Sequence, residues 1–278
     1  MRSTPIGWPL RFWFLVEVFF AVSATSTVAL RPAETATSFA WNIQPPVMAA
    51  LFGAFYLALA PVVFMAMFAR RWEAVRVFVL PGMLFTFTQL VVTFLHWERF
   101  LHGTLAFQIW FASYLLPPGV FLGCYLWQQR RAGPELGGPD DAPLPRWARI
   151  ALVVLGGALT FEALAGLVFP AWFSGWAPWK ITPLNARALS GYTLLLGTML
   201  LSMARENDRD RVRILSPFLI LLLPAVAFQV RRFPEQVDWS HPRIAIVLAV
   251  LLPVTVLGLA LARGGGGRSP IPLPGNRS

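Results

Sequence analysis

The chain has 278 residues, 56% hydrophobic and only 13% charged, with a mean hydropathy of +0.60. Soluble domains run about 45–50% apolar and about 25% charged, so the composition excludes an ordinary soluble enzyme, and its hydrophobicity excludes a disordered chain. The formal charge of +10 comes almost entirely from arginine, Lys180 being the only lysine.

Eight stretches approach the roughly 20 apolar residues that cross about 30 Å of hydrocarbon. In chain order they are 10–30, 47–69, 77–96, 105–127, 148–169, 185–204, 212–230 and 244–262. They are continuous apolar runs without period-two alternation, so they read as helices and not barrel strands. The expected fold is therefore an all-α integral membrane protein with eight transmembrane helices. Val22-Ser23-Ala24 fits a signal-peptide cleavage sequence. Glu17 inside that apolar run, and the counterpart of this span later in the chain, argue for a retained helix.

Arginine placement sets the expected orientation. With the N-terminus inside, the inner segments hold sixteen Lys and Arg residues and the outer segments seven. Both termini are then cytoplasmic by the positive-inside rule. The basic pI of 11.2 becomes a topology signal, and no nucleic-acid partner is expected. Tryptophans fall near both boundaries, Trp8, Trp13 and Trp72 inside, Trp41, Trp97 and Trp179 outside, as interfacial rings do.

A shift of 138 residues aligns Trp41-Asn42-Ile43-Gln44-Pro45 with Trp179-Lys180-Ile181-Thr182-Pro183, and six of thirteen positions match through Gly53 and Gly191. Leu115-Leu116-Pro117 aligns with Leu251-Leu252-Pro253 at a shift of 136. The spans then fall into two parallel four-helix repeats. The expected organisation is 1–130 for the first repeat, 131–146 for a cytoplasmic linker, 147–263 for the second repeat and 264–278 for a disordered tail rich in Gly and Pro.

The blocks Phe39-Ala40-Trp41-Asn42-Ile43-Gln44-Pro45-Pro46 and Trp176-Ala177-Pro178-Trp179-Lys180-Ile181-Thr182-Pro183-Leu184-Asn185-Ala186-Arg187 resemble an uncharacterised group of bacterial polytopic membrane proteins. Arg187, Gly191 and Tyr192 loosely resemble the DoxX-like four-helix membrane proteins. These resemblances imply a bacterial, multi-pass protein of the inner (plasma) membrane and bring no catalytic residue.

Ionisable groups at membrane depth are candidates for function because they cost several kcal/mol unless paired or wetted. Glu17 has no basic residue at matching depth except by a reach from Arg11 or Arg76. Glu162 lies near the outer end of the fifth span and Arg187 near the outer start of the sixth. The first repeat has Ala24 and Ala49 at those positions, and this joint absence predicts a Glu162–Arg187 ion pair. Gln89 and Gln108 read as interhelical hydrogen-bonding groups.

Pro117, Pro118 and Gly119 in the fourth span and Pro253 in the eighth are expected to interrupt corresponding helices, a pointer to a midplane pathway. The outer loops carry a polar set: His96, Glu98, His102, Glu235, Asp238 and His241. Its spacing matches no zinc motif. Cys124 is the only cysteine and excludes an intrachain disulfide.

No nucleophile elbow, phosphate loop or cofactor motif is present, so an enzyme is the less favoured class and no cofactor or metal is expected. The leading expectation is a small-solute or lipid carrier or channel with a pathway between the repeats. The alternatives are a non-catalytic accessory subunit of a larger membrane complex, and a membrane redox protein or enzyme using the outer His, Glu and Asp residues. The expected partners are the lipid bilayer and a membrane-protein partner or a second copy of the chain.

Overall fold

The computed structural model describes residues 4–132, 142–175 and 177–263, with Trp172 described by its backbone alone. Most of the expected linker and the whole 264–278 tail lie outside the described residues. Every long element is a helix, the form in which a segment inside lipid satisfies its own N–H and C=O groups.

The order is α1 (Trp8–Ala24), extended by a π-helical turn over Thr25–Ala29; a short α2 (Thr35–Ser38); α3 (Pro46–Phe68); α4 (Trp72–Leu95); α5 (Leu105–Leu115) and α6 (Pro117–Ala132). Then follow α7 (Arg146–Val168), a short α8 (Pro170–Ser174), α9 (Pro183–Glu206), a short α10 (Arg209–Val212), α11 (Ser216–Arg231) and α12 (Pro242–Arg263).

Among the described residues, seven stretches are long and apolar enough to cross a membrane, α5–α6 counting as one and α10–α11 as another. The chain is thus a multi-pass membrane protein. α9 is also 24 residues long, about 36 Å by helical rise. It is not among the seven, because Asn185, Arg187, Ser190, Arg205 and Glu206 dilute its apolar run.

The expected pair of proline interruptions is not found. The fourth span does break, between Leu115 and Pro117, where two consecutive prolines remove two donors from the helical ladder. Pro253 lies inside an uninterrupted α12, as Pro61, Pro81 and Pro224 lie inside their helices. One missing N–H leaves the rest of the ladder in place.

α1 packs on α3, α4 on α5 and α6, α7 on α9, and α11 on α12. Two further contacts cross the middle, α3 with α11 and α4 with α9. Small residues set the tightest approaches. A Cβ on Gly53 would stand 2.5 Å from the Ala29 Cα, and one on Gly197 2.7 Å from the Thr160 amide nitrogen. Without a hydrophobic effect between helices in lipid, such close packing is what holds them together.

Loop backbones are tied at both ends. At one end the Trp72 N–H donates to the Thr4 carbonyl (2.9 Å), and the Arg209 N–H to that of Ala142 (2.8 Å). Single antiparallel bridges accompany them, Pro5 with Arg71 and Pro143 with Asp208. At the other end the Leu101 N–H donates to the Ala40 carbonyl, and the Asp238 N–H to that of Pro178, both at 2.8 Å.

The first end also carries an ionic cluster. Glu206 accepts from Arg76 Nε at 2.9 Å and from Arg211 at 3.1 Å, and Asp208 caps the Arg211 amide at 3.0 Å. Gln128 clamps the segment before α1, accepting from the Gly7 N–H and donating to the Pro5 carbonyl.

Candidate functional site

Two cavities lie among the helices. The first, about 250 Å³, is enclosed by α1, α3, α4, α5 and α6, with Leu195 of α9 closing it. The second, about 370 Å³, is enclosed by α7, α9, α11 and α12, with Leu51 and Phe55 of α3 in its wall. The middle of the molecule, where a pathway between the halves was expected, is filled instead. Tyr192 of α9 stacks on Phe52 with ring centroids 5.2 Å apart and touches Phe55, Tyr56 and Phe85 at 4.9–5.7 Å.

Glu17 lines the first cavity. It sits nine residues into α1, roughly 13 Å from its start, near mid-membrane. Its Oε1 is shielded from solvent and has no hydrogen-bond partner. The two arginines considered for it are engaged elsewhere: Arg11 Nε donates to the Ile6 carbonyl, and Arg76 clasps Glu206. In the same cavity the Tyr56 and Tyr114 hydroxyls hydrogen-bond to each other at 2.6 Å. The cavity reaches the loops at one end of the helices, at the half-buried Ser38 and the exposed Leu105.

The second cavity is almost wholly apolar. Leu159, Leu196, Leu223 and Leu251 form its depth. Its charged groups are Glu162, Arg231 and Arg243, the two arginines lying at the end of α11 and the start of α12. Trp239, Ile246 and Leu248 on its rim are exposed to the surroundings, which for a membrane helix is lipid.

The expected Glu162–Arg187 pair is overturned. Glu162 is paired with Arg243, whose guanidinium also lies 4.8 Å above the Phe173 ring. Arg187 points elsewhere: its Nε donates to the Leu167 carbonyl at 2.9 Å and its NH1 to His96 Nε2 at 2.9 Å. Burial, and after it the neighbouring Arg187 and Arg99, hold the His96 imidazole below its ordinary value. The neutral ring is the form that can accept from Arg187. The physical reason for the error is that an arginine near the start of a helix has the carbonyls and loop groups of neighbouring elements within reach, so it needs no carboxylate.

The outer polar set does not converge. His102 stacks on Trp97 at 4.5 Å, His96 turns to Arg187, and the His241 Nδ1 accepts from the Arg243 amide. Asp238 accepts from Ser240, and Glu235 lies exposed beside Gln236. Glu98 is exposed in the turn after α4. Among the described residues no three His, Cys, Asp or Glu side chains gather as a metal site would need. Pro117, Pro118, Gly119 and Pro253 line neither cavity. Gln89 does bond between helices, to the Ala188 carbonyl at 2.9 Å, whereas Gln108 is exposed.

Other groups went unread in the sequence. Arg232 and Gln229 of α11 both donate to the Ala29 carbonyl, closing the π turn across the molecule. Tyr56, Tyr114 and Tyr192 are three of only four tyrosines, each within a long apolar run, and that rarity was the available signal. No protein-family model, curated protein or solved structure matches the chain.

Proposed function

We propose that the chain binds and carries an amphiphile with an acidic headgroup, taken laterally from the outer leaflet into the second cavity. The observation that carries this reading is an apolar cavity of about 370 Å³ with Arg231 and Arg243 at its outer mouth. A hydrocarbon tail would lie among Leu159, Leu196, Leu223 and Leu251. The headgroup would meet Arg231, while Glu162 already balances Arg243. Guanidinium is suited to phosphate and carboxylate because its fork donates two parallel hydrogen bonds.

On this reading α9 is an eighth membrane crossing, both termini are cytoplasmic and the chain is a tandem of two four-helix units. Several observations support it. The Thr4–Trp72 and Ala142–Arg209 backbone bonds differ by 138 and 137 residues, as do the Ala40–Leu101 and Pro178–Asp238 bonds. The contacts of α3 with α11 and of α9 with α4 exchange when one half is laid on the other. The lipid form of the carrier expectation is favoured over a solute channel, because the cavities lie inside each unit and the seam between units is packed with rings.

The test is lipid retention by the purified chain in detergent, read by native mass spectrometry. Phosphatidylglycerol should be retained over phosphatidylcholine. Arg231→Gln should erase that preference, and Leu223→Trp, which fills the cavity, should abolish retention of both. Equal retention of the two lipids by the native chain would reject the reading.

A further inference from the structure

The first cavity has a different chemistry from the second. Among the described residues its lining contains no basic side chain, and Glu17 is its only charged group. The Glu17 Oε1 is buried and without a hydrogen-bond partner, and its polar neighbour on the same helix is the neutral Trp13 indole, which brings no charge to balance it. Around it stand eight aromatic side chains, among them Phe20, Tyr56, Phe85, Trp110 and Tyr114. The remaining polar groups are hydroxyls, among them Ser23, Thr27 and Ser113. Ring faces are negative and attract cations, most strongly where water is excluded. A carboxylate at membrane depth is stable only with a partner. Every feature of the wall therefore asks for the same guest charge.

We infer that the first cavity is a binding site for a lipophilic organic ammonium ion, held by Glu17 and the surrounding rings. A cavity of about 150 Å³ already holds a benzene molecule. The 250 Å³ here accommodates one ring with a small quaternary head. The exposed Leu105, with the half-buried Ser38 beside the same space, marks the side from which such a guest enters. Ser23 and Thr27 lie four residues apart on α1 and its π turn and border the same space. This site is separate from the acidic amphiphile proposed for the second cavity and stands or falls without it.

The probe is benzyltrimethylammonium, tested on the full chain in detergent. Its control is neopentylbenzene, the same shape with carbon in place of the charged nitrogen. The first readout is protection of Glu17 from dicyclohexylcarbodiimide, measured by peptide mass spectrometry on the native chain. The cation should slow labelling of Glu17 by about tenfold, and the neutral isostere at equal concentration should do much less. The second readout is affinity by calorimetry, where Glu17→Gln should weaken the cation by about tenfold and leave the isostere unchanged. Equal protection by both compounds would reduce the site to an apolar void and overturn the inference. So would absence of protection by the cation, or undiminished cation affinity in the Gln variant. If that variant does not fold, the protection experiment decides alone. Retention of phosphatidylglycerol in the second cavity is measured separately, so failure of one reading does not imply failure of the other.

Discussion

Glu162 on α7 takes the guanidinium of Arg243 from the start of α12, so one ion pair joins the first long helix of the second half to its last. Arg243 is further held over the Phe173 ring of α8, which brings a third element to the same point. The side chains are 29% and 14% exposed, intermediate between a surface and a buried pair. Glu162→Ala is therefore expected to cost roughly 1–3 kcal/mol, between the surface and buried limits. A double-mutant cycle of thermal stability in detergent should show coupling between Glu162→Ala and Arg243→Ala, and additivity between Glu162→Ala and Arg187→Ala. Coupling of the second kind would reverse the assignment of partners.

Orientation can be read by labelling. In a Cys124→Ser background, Thr37→Cys after the π turn should react with an impermeant maleimide in intact cells. Arg70→Cys, in the exposed turn before α4, should react only after the cells are opened. Labelling of Arg70→Cys from outside would invert the topology drawn from the arginine asymmetry.

His96 supplies a pH dependence. Its imidazole is held below the ordinary value by burial and then by Arg187 and Arg99. The folded state thus binds this proton less readily than the unfolded chain. The contribution to stability is complete above the unfolded value near 6.5 and is lost as pH falls below it toward the folded one. Thermal stability should decline for this reason as pH falls below about 6.5. His96→Gln, which keeps an acceptor for Arg187, should flatten that part of the profile. A profile unchanged by the substitution would assign the effect to another group.

Two glycines of the second half should behave oppositely. Gly197 faces the backbone of α7, where a Cβ would meet Thr160 at 2.6–2.7 Å. Gly197→Ala should destabilise by about 1–3 kcal/mol, since neither helix can yield without losing its neighbour. Gly157 has open space around its Cα. Gly157→Ala should be neutral or stabilising by about 0.5–1 kcal/mol, from helix propensity alone. Melting temperatures of the two variants side by side would show whether α7 and α9 touch through their backbones.

Helix positions were legible because an apolar run of this length has few alternatives in a bilayer. The expected 47–69 span and the observed Pro46–Phe68 differ by one residue at each end. Partnerships were harder. Glu162 was recognised as a deep carboxylate, but Arg243 lies 81 residues away at the start of another helix, and periodicity says nothing about which helix packs where. Joint absence from the first repeat fits the Arg243 pairing no worse than the Arg187 one. Pro117 and Pro253 aligned in sequence yet differ in effect, because Pro118 adds a second missing donor only in the first case. The cavities were not legible at all. A void is set by the lateral arrangement of helices, to which a linear hydropathy pattern is blind.

Two helices, α3 and α9, border both cavities. On α3, Phe55 borders the second cavity and its neighbour Tyr56 the first; on α9, Leu195 borders the first and Leu196 the second. Consecutive residues on a helix point about 100° apart. A small roll of α3 or α9 that widens one chamber therefore narrows the other. Were both proposed guests bound, each is expected to oppose the other through this partition without touching it, and linkage would make the antagonism equal in both directions.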